Sequence, residues 1–423
     1  MWPQLRMRQL APWFIFSLWF LGITLLLSGL IRAGTLPVDY ASYAKAATTI
    51  AEGRDPYQSP NASQQIWLTY HALETRLLQG DPSVKNAPFL PGPYLYPPTL
   101  ALLLHDLQIN AMGFVFMLLL TIYGFGALWL HCTGQSAWWL LWIVGSWDVI
   151  ASFTGGNVEL SLLFAILLAS WLLWRQQAFW AAPLLALVVL VKPFYAFFFI
   201  TFGLLLLVQP MTKPKHAFRT LTMASAGALL LLGLEVIRWP SALRTETLAY
   251  LRNAFAYQWF ILPVDQQTPM SIWNRTPLQG LINAGMVPDL AKWVALWLWL
   301  LFLLITLWYG RKRRLAFPQA FALAFVLLYW GRPVGWGLIY LEIVVLLASW
   351  PRLDRQPRRL LFAGMLALAA SHWVALVITL QGHWIRLFTL QSANFPWETW
   401  LVVPLCWAIL LATLPRKEAS TAE

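Results

Sequence analysis

The stretch PWFIFSLWFLGITLLLSGLI, residues 12–31, decides the fold class of this chain. It contains no charged side chain, and its 20 residues suffice for a helix that crosses a hydrocarbon core about 30 Å thick. Arg6 and Arg8 precede it, and no small-residue cleavage site follows it. We therefore expect an uncleaved membrane anchor rather than a signal peptide that is removed.

Apolar runs of similar length recur along the whole chain. Its 423 residues are 59% apolar and 11% charged, whereas soluble domains carry about 25% charged residues. We therefore predict an all-α, polytopic membrane protein that forms one domain over residues 1–423. The shorter apolar stretch 97–109 is expected to form a re-entrant or interfacial helix. The twelve predicted transmembrane helices are 12–31, 111–131, 137–151, 157–174, 178–191, 193–209, 221–238, 291–309, 316–331, 336–350, 360–380 and 398–414.

The basic residues predict how these helices are oriented. With the N-terminus in the cytoplasm, the segments on that side hold sixteen of the 29 Lys and Arg residues but only three of the 17 acidic ones. Such an excess marks cytoplasmic loops, so the net charge of +12 indicates membrane topology and not nucleic-acid binding. Both termini are then cytoplasmic, and the loops 32–96, 239–290 and 381–397 lie on the outer face.

The first outer loop opens with the segment LPVDYASYAKAATTIAEGRDPY, residues 36–57. Asp39 is expected at the N-cap of an amphipathic helix whose apolar stripe runs to Ile50 and which Gly53 closes. A second amphipathic helix is expected over 63–78, and both helices should lie on the membrane surface. Asp39 can cap its helix, take a proton from a substrate hydroxyl as a general base, or do both.

Nine further polar residues lie in or beside predicted spans, where their burial is costly. This clustering near the outer ends favours a site at the outer interface over a transport path, which would place charges at mid-depth. In such a site Lys192 and Arg332 could hold a phosphate, Arg332 through two parallel hydrogen bonds. The nine residues are Asp106, Asp148, Asn157, Glu159, Lys192, Glu235, Arg238, Arg332 and Glu342.

Several of these residues also have a purely structural interpretation. Lys192 can extend its amino group to the interface from an apolar helix, and Arg332 can end a span before a proline. Asn157 and Glu159 can satisfy backbone groups at a helix start, and Asp55 can be a turn residue. The two cysteines and the histidines have no spacing typical of a disulfide framework or a metal site, so we expect no metal and no cofactor.

Eight short motifs follow one another along the chain: Asp39-Tyr40, YAKAATTIAEG (43–53), Asp55-Pro56-Tyr57, YLYPP (94–98), GGNVEL (155–160), Lys192-Pro193, TPMSIWN (268–274) and GWGLIY (335–340). In this order they resemble the motifs of the polyprenyl-phosphate-dependent glycosyltransferases with the GT-C fold. The branch is the group of bacterial mannosyl- and arabinofuranosyltransferases, glycosyltransferase family 87. The chain departs from the family pattern at Gly156, where the family has Gln, and at Gly337, where it has a polar residue.

The resemblance implies GT-C architecture and an inverting transfer of a sugar, with mannose the first expectation. The donor would be a polyprenyl-phosphate sugar and the acceptor a glycolipid or glycan, at the outer face of a bacterial inner membrane and in contact with its lipids. Asp39 would be the catalytic base, and Lys192 and Arg332 would bind the donor phosphate. The residues expected to contact substrate are Tyr40, Asp55, Tyr57, Tyr96, Asn157 and Glu159.

Three other classes of protein stay open at this point. A transporter or flippase of lipid-linked glycans would need polar groups at mid-depth. A ligase of lipid-linked polymers would favour a second outer loop with both His and Arg, and loop 239–290 has Arg but no His. A structural scaffold would leave the gathering of acidic residues on the outer side unexplained.

Overall fold

A computed structural model gives the structure of the protein. It describes residues 10–34, 36–54, 56, 96–208, 214–239, 276–313, 315–331, 344, 348–349, 359 and 397–414. The regular structure in these ranges is helical and contains no strand, which confirms the predicted all-α class.

The described ranges hold fourteen α-helices. In chain order they are α1 (Leu10–Arg32), α2 (Val38–Ala51), α3 (Pro98–Asp106), α4 (Ala111–Thr133), α5 (Leu140–Gly145), α6 (Trp147–Gly155), α7 (Glu159–Trp174), α8 (Ala178–Val191), α9 (Ala196–Val208), α10 (Pro214–Arg238), α11 (Pro277–Asn283), α12 (Pro288–Lys312), α13 (Phe317–Gly331) and α14 (Trp397–Ala412). Short 3-10 helices lie at Ala137–Trp139 and Pro193–Tyr195.

Four of these helices, α1, α4, α10 and α12, are long and apolar enough to cross a membrane. Shorter apolar helices accompany them, among them α7, α8 and α13. The protein is therefore membrane-embedded and helical. The count of twelve spans stays a prediction, because the predicted span 360–380 and most of 336–350 lie outside the described residues.

The segment 137–151, predicted as one span, is instead broken into three pieces. A 3-10 helix leads into α5, and Ser146 then takes an extended conformation (φ −74°, ψ 117°) before α6 begins. The sequence Gly145-Ser146 explains the break, since glycine and serine are poorer helix formers than the apolar residues around them. The prediction of one span was wrong because it relied on apolar composition, which does not reveal the low helix propensity of Gly145 and Ser146.

Helix α13 forms the centre of the core. All fifteen of its residues are buried, as expected of a helix that is apolar on every face. Its Phe321 ring lies 5.2 Å from the ring of Phe198 in α9 and 5.3 Å from that of Trp129 in α4. Helices α1 and α10 show the opposite pattern, with large apolar side chains such as Phe14 and Ile237 exposed. Exposed faces of this kind suit contact with lipid tails.

Helix α3 covers most of the stretch 97–109, which was expected to be re-entrant or interfacial. Its nine residues extend about 14 Å, less than half of a hydrocarbon core, so it is too short to span. It packs against α2 and α8, and thereby holds the first loop against the bundle. The second helix predicted for this loop, over 63–78, lies outside the described residues.

Candidate active site

Asp39 lies in the first turn of α2, two residues after the N-cap position that the sequence predicted for it. The helix begins at Val38, and its N-cap is Pro37 (φ −56°, ψ 136°), without a side-chain capping bond. Proline fixes φ near this value, so Pro37 starts the helix and leaves Asp39 as its second residue. The capping role predicted for Asp39 is therefore wrong, although a carboxylate in the first turn still interacts favourably with the helix dipole.

Tyr40 fixes α2 to the neighbouring helices. Its ring lies 5.2 Å from the ring of Phe114, and its hydroxyl donates a hydrogen bond of 3.0 Å to the carbonyl of Ile109. With 6% of its surface exposed, Tyr40 belongs to the packing beneath α2. Contact of Tyr40 with substrate stays a prediction.

The turn between α6 and α7 approaches α2 so closely that it requires glycine. Gly156 ends α6 with φ +70°, a conformation that favours glycine. A Cβ at Gly156 would lie 2.8 Å from the Cβ of Pro37 and 3.1 Å from the Cβ of Tyr40. A side chain at position 156 would therefore strain the backbone and require the turn or α2 to shift. The preceding Gly155 also lies near the site, since a Cβ there would be 3.8 Å from Asp39 Oδ2.

Asn157 follows this turn and links Asp39 to the start of α7. Its Oδ1 accepts a hydrogen bond of 2.9 Å from the backbone N–H of Glu159, and its side chain also hydrogen-bonds Asp39. Because the amide oxygen is engaged by an N–H, the amide NH₂ is the group that donates to the Asp39 carboxylate. The expectation that Asn157 satisfies backbone at a helix start is confirmed.

Glu159 and Lys192 form a buried ion pair beside this turn. Lys192 Nζ donates to Glu159 Oε2, and the hydroxyl of Tyr195 donates to Oε1. Glu159 is 5% exposed and Lys192 7%, so Lys192 lies in the protein interior instead of extending to the interface. Lys192 precedes Pro193, which disfavours helical backbone, and its extended conformation (φ −137°, ψ 92°) ends α8 at this point.

Aromatic residues line the other side of Lys192. Its ammonium lies 5.3 Å from the ring centroid of Tyr96 and 5.8 Å from that of Phe194, distances typical of cation–π contacts. Tyr43, one turn after Asp39 on α2, donates a hydrogen bond of 3.2 Å to the Tyr96 hydroxyl. The rings of Tyr43 and Tyr96 meet edge to face at 5.1 Å. The predicted substrate residue Tyr96 is thus in the cluster, between α2 and Lys192.

The electrostatics of the cluster set Asp39 apart from an ordinary aspartate. Burial raises the pKa of Asp39 from 3.8 to about 6, against the opposing effects of Lys192 and of the hydrogen bond from Asn157. Burial likewise raises the pKa of Tyr43 well above its usual value, and Tyr96 and Asp39 add to that rise. Asp39 is nevertheless only partly buried. It therefore combines an elevated proton affinity with access for another molecule.

A second ionic group joins α3 to α10. Arg238 binds Asp106 Oδ2 at 2.8 Å and Glu235 Oε2 at 3.3 Å. These three predicted outer-end residues do lie together. Of the remaining predicted residues, Asp55, Tyr57, Arg332, Glu342 and the side chain of Asp148 are outside the described part of the structure.

The described residues hold no group of three or more His, Cys, Asp or Glu that could bind a metal ion. Comparison with models of known protein families, with curated proteins and with solved structures finds no match for the chain.

Tyr43 and Tyr195 are two members of the cluster that the sequence reasoning missed. Each carried a signal in its spacing. Tyr43 lies four residues after Asp39, which places both on one face of a helix. Tyr195 lies three residues after Lys192, and side chains at this spacing align on a 3-10 helix.

Proposed function

We propose that the protein is a membrane glycosyltransferase that moves a sugar from a polyprenyl-phosphate donor to a hydroxyl of a glycolipid or glycan, with inversion. The observation that carries the proposal is the Asp39 carboxylate, partly exposed, with a pKa of about 6 and held by Asn157 at one end of an apolar helix bundle. The ordered motifs that resemble the GT-C glycosyltransferases support it as well.

The reaction needs a base for the acceptor hydroxyl. The acceptor oxygen forms a bond to the anomeric carbon while the bond from that carbon to the donor phosphate breaks, and Asp39 takes the hydroxyl proton. A carboxylate of pKa about 6 is mostly ionised at pH 7 and binds a proton more strongly than an ordinary aspartate, which suits a general base. The leaving group is the polyprenyl phosphate, which keeps the electron pair of the broken bond.

The leaving phosphate needs positive charge, which preorganised cations provide most effectively. Lys192 is buried and bound to Glu159, so we assign it an effect on the potential of the site, short of direct phosphate contact. In the proposal Arg332, which directly follows the last residue of α13 in sequence, contacts the phosphate. The donor lipid tail lies in the bilayer beside the apolar faces of the helices.

Proteoliposomes containing the purified protein test this proposal. They are supplied with a panel of polyprenyl-phosphate sugars and with glycolipids extracted from the native membrane, and products are identified by mass spectrometry. Transfer by the wild type, its loss in Asp39→Asn and its retention in Asp289→Asn would support the proposal. Asp289 is a matched control because it is also a first-turn aspartate, in α12, and its side chain is 87% exposed. Transfer by Asp39→Asn at the wild-type rate would refute the assignment of the base.

A further inference from the structure

Two residues near Asp39, Asn157 and Glu159, make their hydrogen bonds to other groups of the protein. The side-chain oxygen of Asn157 accepts a hydrogen bond from the backbone N–H of Glu159, and its NH₂ group donates to Asp39. The Glu159 carboxylate receives one hydrogen bond at each oxygen, from Lys192 and from Tyr195. Sequence reasoning placed Asn157 and Glu159 among the residues that contact substrate, but these contacts indicate a different role.

We infer that Asn157 and Glu159 are positioning residues for Asp39: Asn157 sets the direction of the Asp39 carboxylate, and Glu159 keeps the Lys192 ammonium from closing onto Asp39. As an account of catalysis, this inference rests on the proposed function. As an account of Asp39 itself, it stands on the geometry and can be tested without any substrate.

The geometry of the α6–α7 turn explains how Asn157 acts. Gly156 presses the turn against Pro37 and Tyr40, so the turn and the start of α2 are held at a fixed separation. The Glu159 N–H then fixes the orientation of the Asn157 amide. Because the oxygen of this amide is fixed, its NH₂ group points at Asp39 in one direction. The hydrogen bond then occupies one lone pair of the Asp39 carboxylate and fixes the orientation of the carboxylate plane.

The charges around Lys192 explain how Glu159 acts. Lys192 attracts both carboxylates, but its Nζ donates to Glu159. With Glu159 neutral, Asp39 becomes the nearby carboxylate that compensates the buried ammonium, since an unpaired buried charge is costly. The ammonium would then stabilise the ionised Asp39 and make it a weaker base. Within the described ranges, the other titratable groups that face this region are Tyr43 on α2, Tyr96 before α3 and Tyr195 after α8.

The two residues therefore have opposite effects on Asp39, which a merely structural role would not produce. Removing the Asn157 donor makes ionised Asp39 less stable, whereas removing the Glu159 charge makes ionised Asp39 more stable. The pH at which Asp39 titrates is read from the difference in thermal stability between each background and the same background carrying Asp39→Asn. This difference changes with pH between the pKa of unfolded Asp39 and the pKa of folded Asp39. The midpoint used below is the pH of half-ionisation of folded Asp39, fitted from this difference with the unfolded pKa held at its ordinary value.

In Asn157→Ala the midpoint is expected to move up, and in Glu159→Gln it is expected to move down, each by on the order of one pH unit. In the double variant Glu159→Gln/Lys192→Met both charges are removed together, so the midpoint stays near that of the wild type. The double variant also keeps the test usable if Glu159→Gln alone fails to fold, because neutral replacements of a buried ion pair are tolerated better than removal of one partner.

Ser161→Ala is the matched structural control. It removes the contact of 3.4 Å between Ser161 and Thr121 near the start of α7, without changing a charge or a hydrogen bond of the cluster. Its midpoint should equal that of the wild type. Midpoints that move in the same direction in Asn157→Ala and Glu159→Gln, or that do not move, overturn the inference. Where sugar transfer is observed, the acid limb of its pH–rate profile should shift with the midpoints. Shifted midpoints without transfer from any donor would sustain the positioning roles and count against the proposed function alone.

Discussion

Replacing Asp39 by Asn should make the protein more stable while abolishing the proposed transfer. Folding places the Asp39 carboxylate where burial raises its pKa from 3.8 to about 6, so the folded state disfavours the charged form. The rise corresponds to roughly 3 kcal/mol at pH values where the group is ionised in both states. Asparagine can still accept the hydrogen bond from Asn157 through its side-chain oxygen, and it has no charge to desolvate.

The sign of the pH dependence follows from the raised pKa. Below about pH 4 Asp39 is protonated in the folded and unfolded states, so Asp39→Asn and the wild type should have equal stability. Between about pH 4 and pH 6 the unfolded chain releases the proton and the folded one retains it, so wild-type stability declines relative to the variant. Above the folded pKa of about 6 the difference reaches its full value and stays constant.

Thermal unfolding of the detergent-solubilised protein, followed from pH 3.5 to pH 8.5, measures this difference. We expect an apparent unfolding temperature a few degrees higher for Asp39→Asn at pH 8, and none of that gain at pH 3.5. The exposed Asp289→Asn control should show no comparable rise between pH 4 and pH 6. A gain that is absent at pH 8, or that persists unchanged at pH 3.5, would refute the argument that burial governs Asp39.

Three further predictions test the framework of the site. Gly156→Ala should destabilise the protein by about 1–3 kcal/mol and displace the α6–α7 turn, because its Cβ would meet Pro37 at 2.8 Å and φ is +70°. Chemical denaturation measures the loss of stability. The control Gly134→Ala, at φ +66° in open space, separates the backbone effect from the clash. Tyr40→Phe should cost about 1 kcal/mol by removing the hydrogen bond to Ile109, with transfer retained, and a variant that is stable yet inactive would instead place the Tyr40 hydroxyl in catalysis. In a chain with both native cysteines replaced, Leu36→Cys should react with a membrane-impermeant thiol reagent on intact cells and Ser136→Cys only after permeabilisation; the reverse pattern would invert the orientation predicted from charge.

The sequence predicted the helical class and many helix bounds because apolar composition is a direct signal of membrane burial. The span predicted over 178–191 has the observed bounds of α8, and α13 begins within one residue of its prediction. The break at Ser146 was not predicted, because a window of apolar residues averages over a single weak position. The predicted start of α2 was two residues too late, because Asp39 is a good N-cap by type whereas Pro37 determines where the helix begins.

The grouping of the site was harder to predict than its helices. Asp39, Asn157 and Lys192 are far apart in sequence, and the predicted topology together with the order of motifs in the resembled family suggested only that they share one face of the membrane. The division of labour between Glu159 and Asp39 could not be predicted at all. It depends on which carboxylate the Lys192 ammonium reaches, and that distance is set by tertiary packing of α7 on α8.

This division of labour explains why Glu159 and Asp39 both lie near the same cation, Lys192. Glu159 is buried and receives a hydrogen bond at each oxygen, which is what a buried charge needs to remain charged. Asp39 is partly exposed, and among the described residues Asn157 is the side chain that hydrogen-bonds it. Asp39, with its raised pKa and its open side, is therefore suited to exchange a proton. In the proposed mechanism, the structural role of Glu159 therefore leaves Asp39 available to take the acceptor proton.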